Sequence, residues 1–180
     1  MKPKRKGIRV IVVVVCILLL AFVLTELGVI AVPVSRQVTA LEVSLEDPTH
    51  VVEREVSIQG RWRFYPITQI RRGYAHGFYG QIAVSGYPIT NYPMLSMWIP
   101  RDENGALVGH LRYDQWDHGV FGTMWVRTFF REAAIAVAVE IEVDHPDSRG
   151  WNTSLQESPV IVLDVETQAE ALEILRSYIP

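Results

Sequence analysis

Ala134-Ile-Ala-Val-Ala-Val-Glu-Ile-Glu-Val143 is the stretch whose reading decides the fold. Ile135, Val137, Val139, Ile141 and Val143 alternate with Ala134, Ala136, Ala138, Glu140 and Glu142. A period of two puts all the β-branched residues on one side of a strand, whereas a helix would scatter them around its circumference. Val and Ile also fit a pleated surface better than a helical one.

The same logic extends outward from this strand. Val120–Phe130 precedes it, across a turn at Arg131–Ala133. Met94–Ile99 and Ala106–Tyr113 flank Asp102-Glu-Asn-Gly105, the clearest hairpin signal in the chain. Val52, Arg54, Val56 and Ile58 alternate with Glu53, Glu55 and Ser57, with Arg54 the one charged exception. Gly60 marks a bulge, and Trp62 and Phe64 continue the same face to Pro66. Tyr74–Gly86, rich in glycine and aromatics, is expected as a bent strand, and the prolines of Tyr87–Pro93 set a loop. Asp114–Gly119 and Asp144–Gly150 form further loops, and Val160–Val165 is a last short strand.

Thr167-Gln-Ala-Glu170 is a capping box, and Ala171, Leu172, Leu175, Tyr178 and Ile179 share one helical face behind it. No βαβ alternation appears, which argues against a nucleotide-binding doubly wound sheet. The expected class is α+β: an N-terminal transmembrane helix, a mainly antiparallel β-sheet or barrel-like domain, and a C-terminal α-helix packed on it. Gly60-Arg-Trp-Arg-Phe-Tyr-Pro66 resembles a stretch in extracytoplasmic sensor domains of some bacterial receptors. That likeness covers seven residues, and no function is carried over from it.

The N-terminus places this domain. Residues 1–9 form a basic head, with Lys2, Lys4, Arg5, Lys6 and Arg9 marking the cytoplasmic side by the positive-inside rule. Val10–Leu24 is an unbroken apolar run of 15 residues. At 1.5 Å per residue it covers about 22 Å, short of a hydrocarbon core of about 30 Å. The anchor is therefore expected over residues 10–34, running on through Glu26 near the outer interface and stopping at Pro33. Residues 35–50 are expected as a juxtamembrane spacer, and residues 51–180 as an extracytoplasmic domain. The rival reading is a signal peptide cut after Val29-Ile30-Ala31, which would make the protein secreted.

The 180 residues carry a net charge of −3, but five of the 17 basic residues precede residue 10. From Ser35 onward 12 arginines face 19 acids, leaving −7. An acidic exterior argues against nucleic acid as partner. Cys16, the single cysteine, lies in the anchor, so the outer domain has neither a disulfide nor a thiol nucleophile. No phosphate-binding glycine loop, H-E-x-x-H, G-x-S-x-G or EF-hand sequence occurs, and no cofactor or metal is expected.

Topology supplies the candidate site. In an up-and-down meander from Met94 to Val143 the turns alternate ends. Loops Ser85–Pro93, Asp114–Gly119 and Asp144–Gly150 then share one end, which collects Tyr87, Tyr92, Trp116, Asp117, His118, Asp144, His145 and Trp151. Aromatic faces beside loop carboxylates suit a sugar, a peptide or a cell-wall fragment. The plainer reading is that these aromatics cover strand ends. Two Asp-His pairs would ligate a divalent metal only if both members lie in the loop proper. Arg61 and Arg63 share a strand face, with Arg71 and Arg72 close behind, and would meet anionic headgroups if that region faces the membrane. Two function classes follow: a membrane-tethered, non-catalytic module binding an envelope protein or cell-wall sugar, and a small envelope hydrolase using loop Asp and His residues.

Overall fold

The computed structural model describes residues 4–67, 74–102, 106–114, 119–127, 130–141 and 150–179. Helix α1 spans Lys4–Glu26. It is followed by β1 (Ala31–Val43), β2 (Val51–Phe64), β3 (Tyr74–Val84) and a short 3-10 turn at Pro88–Asn91. Next come β4 (Met97–Pro100), β5 (Leu107–Arg112), β6 (Val120–Arg127) and β7 (Glu132–Val137). A small pair, β8 (Val139–Ile141) and β9 (Gly150–Asn152), precedes β10 (Val160–Leu163) and helix α2 (Gln168–Tyr178).

Among the described residues, eight strands form one antiparallel sheet in the order β4-β3-β2-β1-β10-β7-β6-β5. The sheet curls until its edge strands meet. Met94 bridges Tyr113, Arg101 bridges Leu107, and Leu95 N donates to Arg112 O at 2.8 Å. The result is a nearly closed barrel with α2 on its flank, the α+β class that the strand pattern led us to expect.

Inward-facing Val56, Ile58, Phe78, Ile82, Leu111, Met124 and Ile161 fill the barrel. The opposite faces of β1, β7 and β10 are buried as well, because Val43, Ala134, Ala136, Val160 and Val162 pack under Ala171, Leu175 and Tyr178 of α2. The alanines that alternate along β7 are thus the small side chains that let a helix approach. Thr167 caps α2 by accepting from Glu170 N at 3.3 Å, while Glu170 reaches back to Glu166 N at 3.2 Å.

Four local expectations need correction. Residues 35–50 are not a spacer: β1 begins at Ala31, pairs with β2 from Ala31↔Arg63 to Val43↔Val51, and sits in the middle of the sheet. The apolar helix does not run to Val34 either. It ends at Glu26 in a Schellman motif, with Gly28 at φ +69°, Gly28 N donating to Thr25 O and Val29 N donating to Leu24 O. It extends instead toward the N-terminus, beginning at Lys4, and its Gly7–Glu26 stretch is long and apolar enough to cross a membrane.

Gly60 makes no bulge, since the register runs unbroken through Gly60↔Gly80. Those two backbones approach so closely that a Cβ on Gly60 would lie 2.5 Å from Tyr79 O. Finally, the described part of the Ala134–Val143 run, up to Ile141, is divided between β7 and β8 rather than forming one strand. Ala138 N still meets Phe121 O in the β6 register at 2.8 Å, and from Val139 the chain changes partner, with β8 leaving to pair with β9.

Register fixes what lies at each end of the barrel. Ala31, Arg63, Gly77 and Trp98 form a row across β1 to β4 next to α1. The far end carries the β1–β2 turn, the 85–93 loop and Asp114. Phe130, at φ +66°, plugs the helix-proximal end with its ring against Trp62 and Phe78. Arg36 donates to Phe130 O and pairs with Asp164, so one guanidinium ties that plug to the segment after β10.

Candidate functional site

The helix-distal mouth holds a buried charge cluster that sequence reasoning missed. Glu42 occupies an inward position of β1 and is only 3% exposed. Its Oε1 lies 2.7 Å from His50 Nε2, and its Oε2 accepts from Arg54 Nε at 2.8 Å and from Tyr87 Oη at 2.7 Å. The Arg54 guanidinium lies 4.9 Å from the centre of the Tyr87 ring, whose edge meets Phe121 at 5.1 Å. Glu42 and Arg54 come from adjacent strands, and the β1–β2 turn brings back His50.

Burial alone would raise the Glu42 pKa, but the hydrogen bonds from Arg54, Tyr87 and His50 outweigh it and hold the carboxyl below its ordinary value. Burial, and then the bond to Glu42, push the Tyr87 phenol up. Glu42 is therefore an ionised acceptor with its lone pairs engaged. A carboxylate of that kind orders a loop well and moves protons poorly.

Outside this plug, on the outer face of β1 to β3, the 85–91 segment shelters an open cleft of about 340 Å³. Gln37, Glu55, Ser57, Ser85, Tyr87 and Asn91 are among its walls. Ser85 is clipped to β2 on both sides: its Oγ accepts from Glu55 N at 2.8 Å, and its N donates to Glu55 O at 2.9 Å. Gln81 pins the loop by donating to Thr90 O and Tyr92 O. Amides, hydroxyls and one carboxylate offer hydrogen bonds to a polar or cationic ligand, and among the described residues no guanidinium lines the cleft.

Of the residues expected at this end, Tyr87 closes the mouth and Tyr92 is exposed at the rim, the two flanking the 3-10 turn. Asp114 N donates to Pro93 O at 2.7 Å, so the end of the 85–93 loop lies beside Asp114. The Trp151 backbone belongs to the small β8–β9 sheet, where it pairs with Glu140. That sheet is followed by Thr153, which accepts from Thr123 Oγ1 on β6 at 2.9 Å. Trp116, Asp117, His118, Asp144 and His145 lie outside the described residues, as do Arg71 and Arg72. Among the described residues no three His, Cys, Asp or Glu side chains gather as metal ligands would.

No known protein family, curated protein or solved structure matches this chain. Its function must be read from its own geometry. Glu42 was hidden in a segment read as a spacer. Arg54, charged at an inward position of an otherwise apolar strand face, was the signal that a carboxylate had to face it.

Proposed function

We propose that this protein is a single-pass membrane protein with its N-terminus in the cytoplasm. Its barrel would stand outside the cell membrane as a non-catalytic module that binds an envelope component. The observation that carries this reading is α1. Its Gly7–Glu26 stretch is long and apolar enough to cross a bilayer, and none of it is buried against the barrel. Twenty helical residues measure about 30 Å, the thickness of the hydrocarbon core. The basic head then falls on the cytoplasmic side and the acidic barrel on the other.

Binding rather than hydrolysis is supported by the mouth, where the buried carboxylate is already engaged by three partners. The polar cleft under the 85–91 segment suits a hydroxyl-rich ligand such as a cell-wall sugar, or the polar backbone of an envelope protein. Protease added to intact cells should digest the barrel. Protection there, with digestion only after lysis, would refute the orientation. A mature N-terminus near Val32 would replace the anchor by a cleaved signal. Tyr92→Ala should weaken retention on cell-wall material without changing thermal unfolding, and unchanged retention would remove this end from the binding surface.

A further inference from the structure

The barrel end beside α1 is built unlike the mouth. Beyond α1 and its link, eight large apolar side chains of the described residues are exposed, and four of them, Val32, Phe64, Ile67 and Trp98, sit at this one end. Exposed Leu27, Val29 and Ile30 of the link join them. Direct contacts hold this rim level with the last turn of α1. The Glu26 carboxylate accepts from Ile67 N at 2.7 Å. A Cβ on Gly28 would meet the Arg63 side chain at 3.2 Å and Tyr65 Oη at 3.3 Å. The Tyr65 ring lies tilted against Trp98, 5.2 Å between ring centres, and its hydroxyl donates to Tyr79 at 3.1 Å. Arg63 lies 4.4 Å over the Tyr79 ring, and Arg61, two residues further from α1 along β2, is exposed.

We propose that this rim is seated in the headgroup layer of the same bilayer that α1 crosses, with Trp98, Phe64 and Ile67 at the acyl boundary. The inference rests on α1 being a membrane span and adds where the barrel sits relative to that membrane. The distances leave little choice. The headgroup layer is roughly 5–8 Å deep on each side, and the Schellman motif joins α1 to β1 with no free spacer in between. A barrel held that close must present some surface to the interface. The surface presented combines Trp and Tyr, which favour the water–hydrocarbon boundary, with arginines able to meet phosphate oxygens. Desolvating those apolar side chains against acyl chains also favours this seating over contact with water.

The test uses the full chain in phosphatidylcholine vesicles containing phosphatidylglycerol, with bromine placed on the acyl chains either near the headgroup or near the bilayer centre. The emission lost on Trp98→Phe is the Trp98 component. That component should lose most of its intensity to shallow bromine and little to deep bromine. Phe64→Trp in the Trp98→Phe background should restore a component quenched in the same way, which guards against a repacked reporter. An unquenched Trp98 component on a chain that floats with the vesicles and resists carbonate would overturn the rim while leaving the anchor intact. Trp98 emission that is blue-shifted yet unquenched would assign the rim to a second copy or another protein, and would overturn it too. Failure to float would remove the anchor, and the rim with it.

Discussion

The two ends of this barrel are closed by the same strands with opposite chemistry. Next to α1, inward positions of β2 and β3 carry Trp62, Phe78 and His76, and Phe130 drops its ring among them. At the mouth, inward positions of β1 and β2 carry Glu42 and Arg54, with His50 and Tyr87 completing the plug. A barrel of this kind has to be stoppered at both ends, because inward side chains at its rims have only one neighbouring layer. An aromatic stopper draws on hydrophobic burial and is insensitive to geometry. A charged stopper holds a fixed geometry, and each partner becomes a liability once another is removed. The end nearest the helix is the forgiving one, and the mouth is the exacting one.

The largest expected effect at either end follows from that contrast. Glu42→Gln leaves Arg54, whose side chain is one-fifth exposed, without its anion. Breaking a fully buried pair from one side costs about 3–5 kcal/mol, and this half-sheltered one should fall at or below the lower end of that range. Urea unfolding of the variant should show that loss. Pairing it with Arg54→Met should return much of the stability, since apolar replacements of buried ion pairs are often close to neutral. A double variant no more stable than the single one would mean that His50 and Tyr87 alone order the mouth.

The barrel flank sets the scale for both ends. On α2, Leu175 is fully buried against the sheet and Leu172 only partly so. Leu175→Ala should cost about 2–5 kcal/mol, with Leu172→Ala near the bottom of that range or below it. Equal losses would mean that α2 sits differently on the β1–β10–β7 face.

A smaller change probes the junction at the helix end. Gly28 holds φ +69° and has Arg63 against it. Gly28→Ala should cost about 1–2 kcal/mol through the left-handed backbone. It should loosen the link between α1 and β1 while leaving the mouth intact. Faster proteolysis at residues 27–30, with Tyr87 still shielded, is the expected result. Equal susceptibility at both ends would mean that the barrel communicates along its whole length.

Much of the fold was legible in the sequence because strands announce themselves by alternation, and the run from Val52 to Ile58 did so clearly. Ala31–Val43 was not, for a physical reason. Its inward positions carry Arg36, partly exposed, and Glu42, buried, so the apolar period is broken where charges are satisfied by partners outside the strand. The apolar lead-in Leu27–Val34 also looks like more helix until Gly28 is given its left-handed turn. The β7 alternation was clear, yet it implied one exposed face, because nothing local says that Ala134 and Ala136 are small to admit α2. At the candidate site Tyr87 was legible as a loop aromatic. Its partner Glu42, 45 residues away, was not.

Acid titration should separate the two ends most finely. Burial, and then the charge of Arg101, hold the His76 pKa below its ordinary 6.5. Trp62 Nε1 donates to its Nδ1 at 3.0 Å, which requires that nitrogen to be unprotonated. An unfolded chain takes up the proton at about pH 6.5 while the folded one resists, so this stabilising contribution fades as pH falls below 6.5 and is gone beneath the folded value. Glu42 also has a depressed pKa, below 4.5, so its contribution is complete above pH 4.5 and is lost as pH falls through the folded value. The helix end should therefore weaken first on acidification, and the mouth only in stronger acid. His76→Gln keeps an acceptor for Trp62 but has no proton to gain. It should flatten the stability curve just below pH 6.5 and leave the more acidic limb unchanged, whereas Glu42→Gln should do the reverse. If His76→Gln leaves the upper limb as steep as before, Trp62 does not read the state of His76, and the aromatic plug is closed by packing alone.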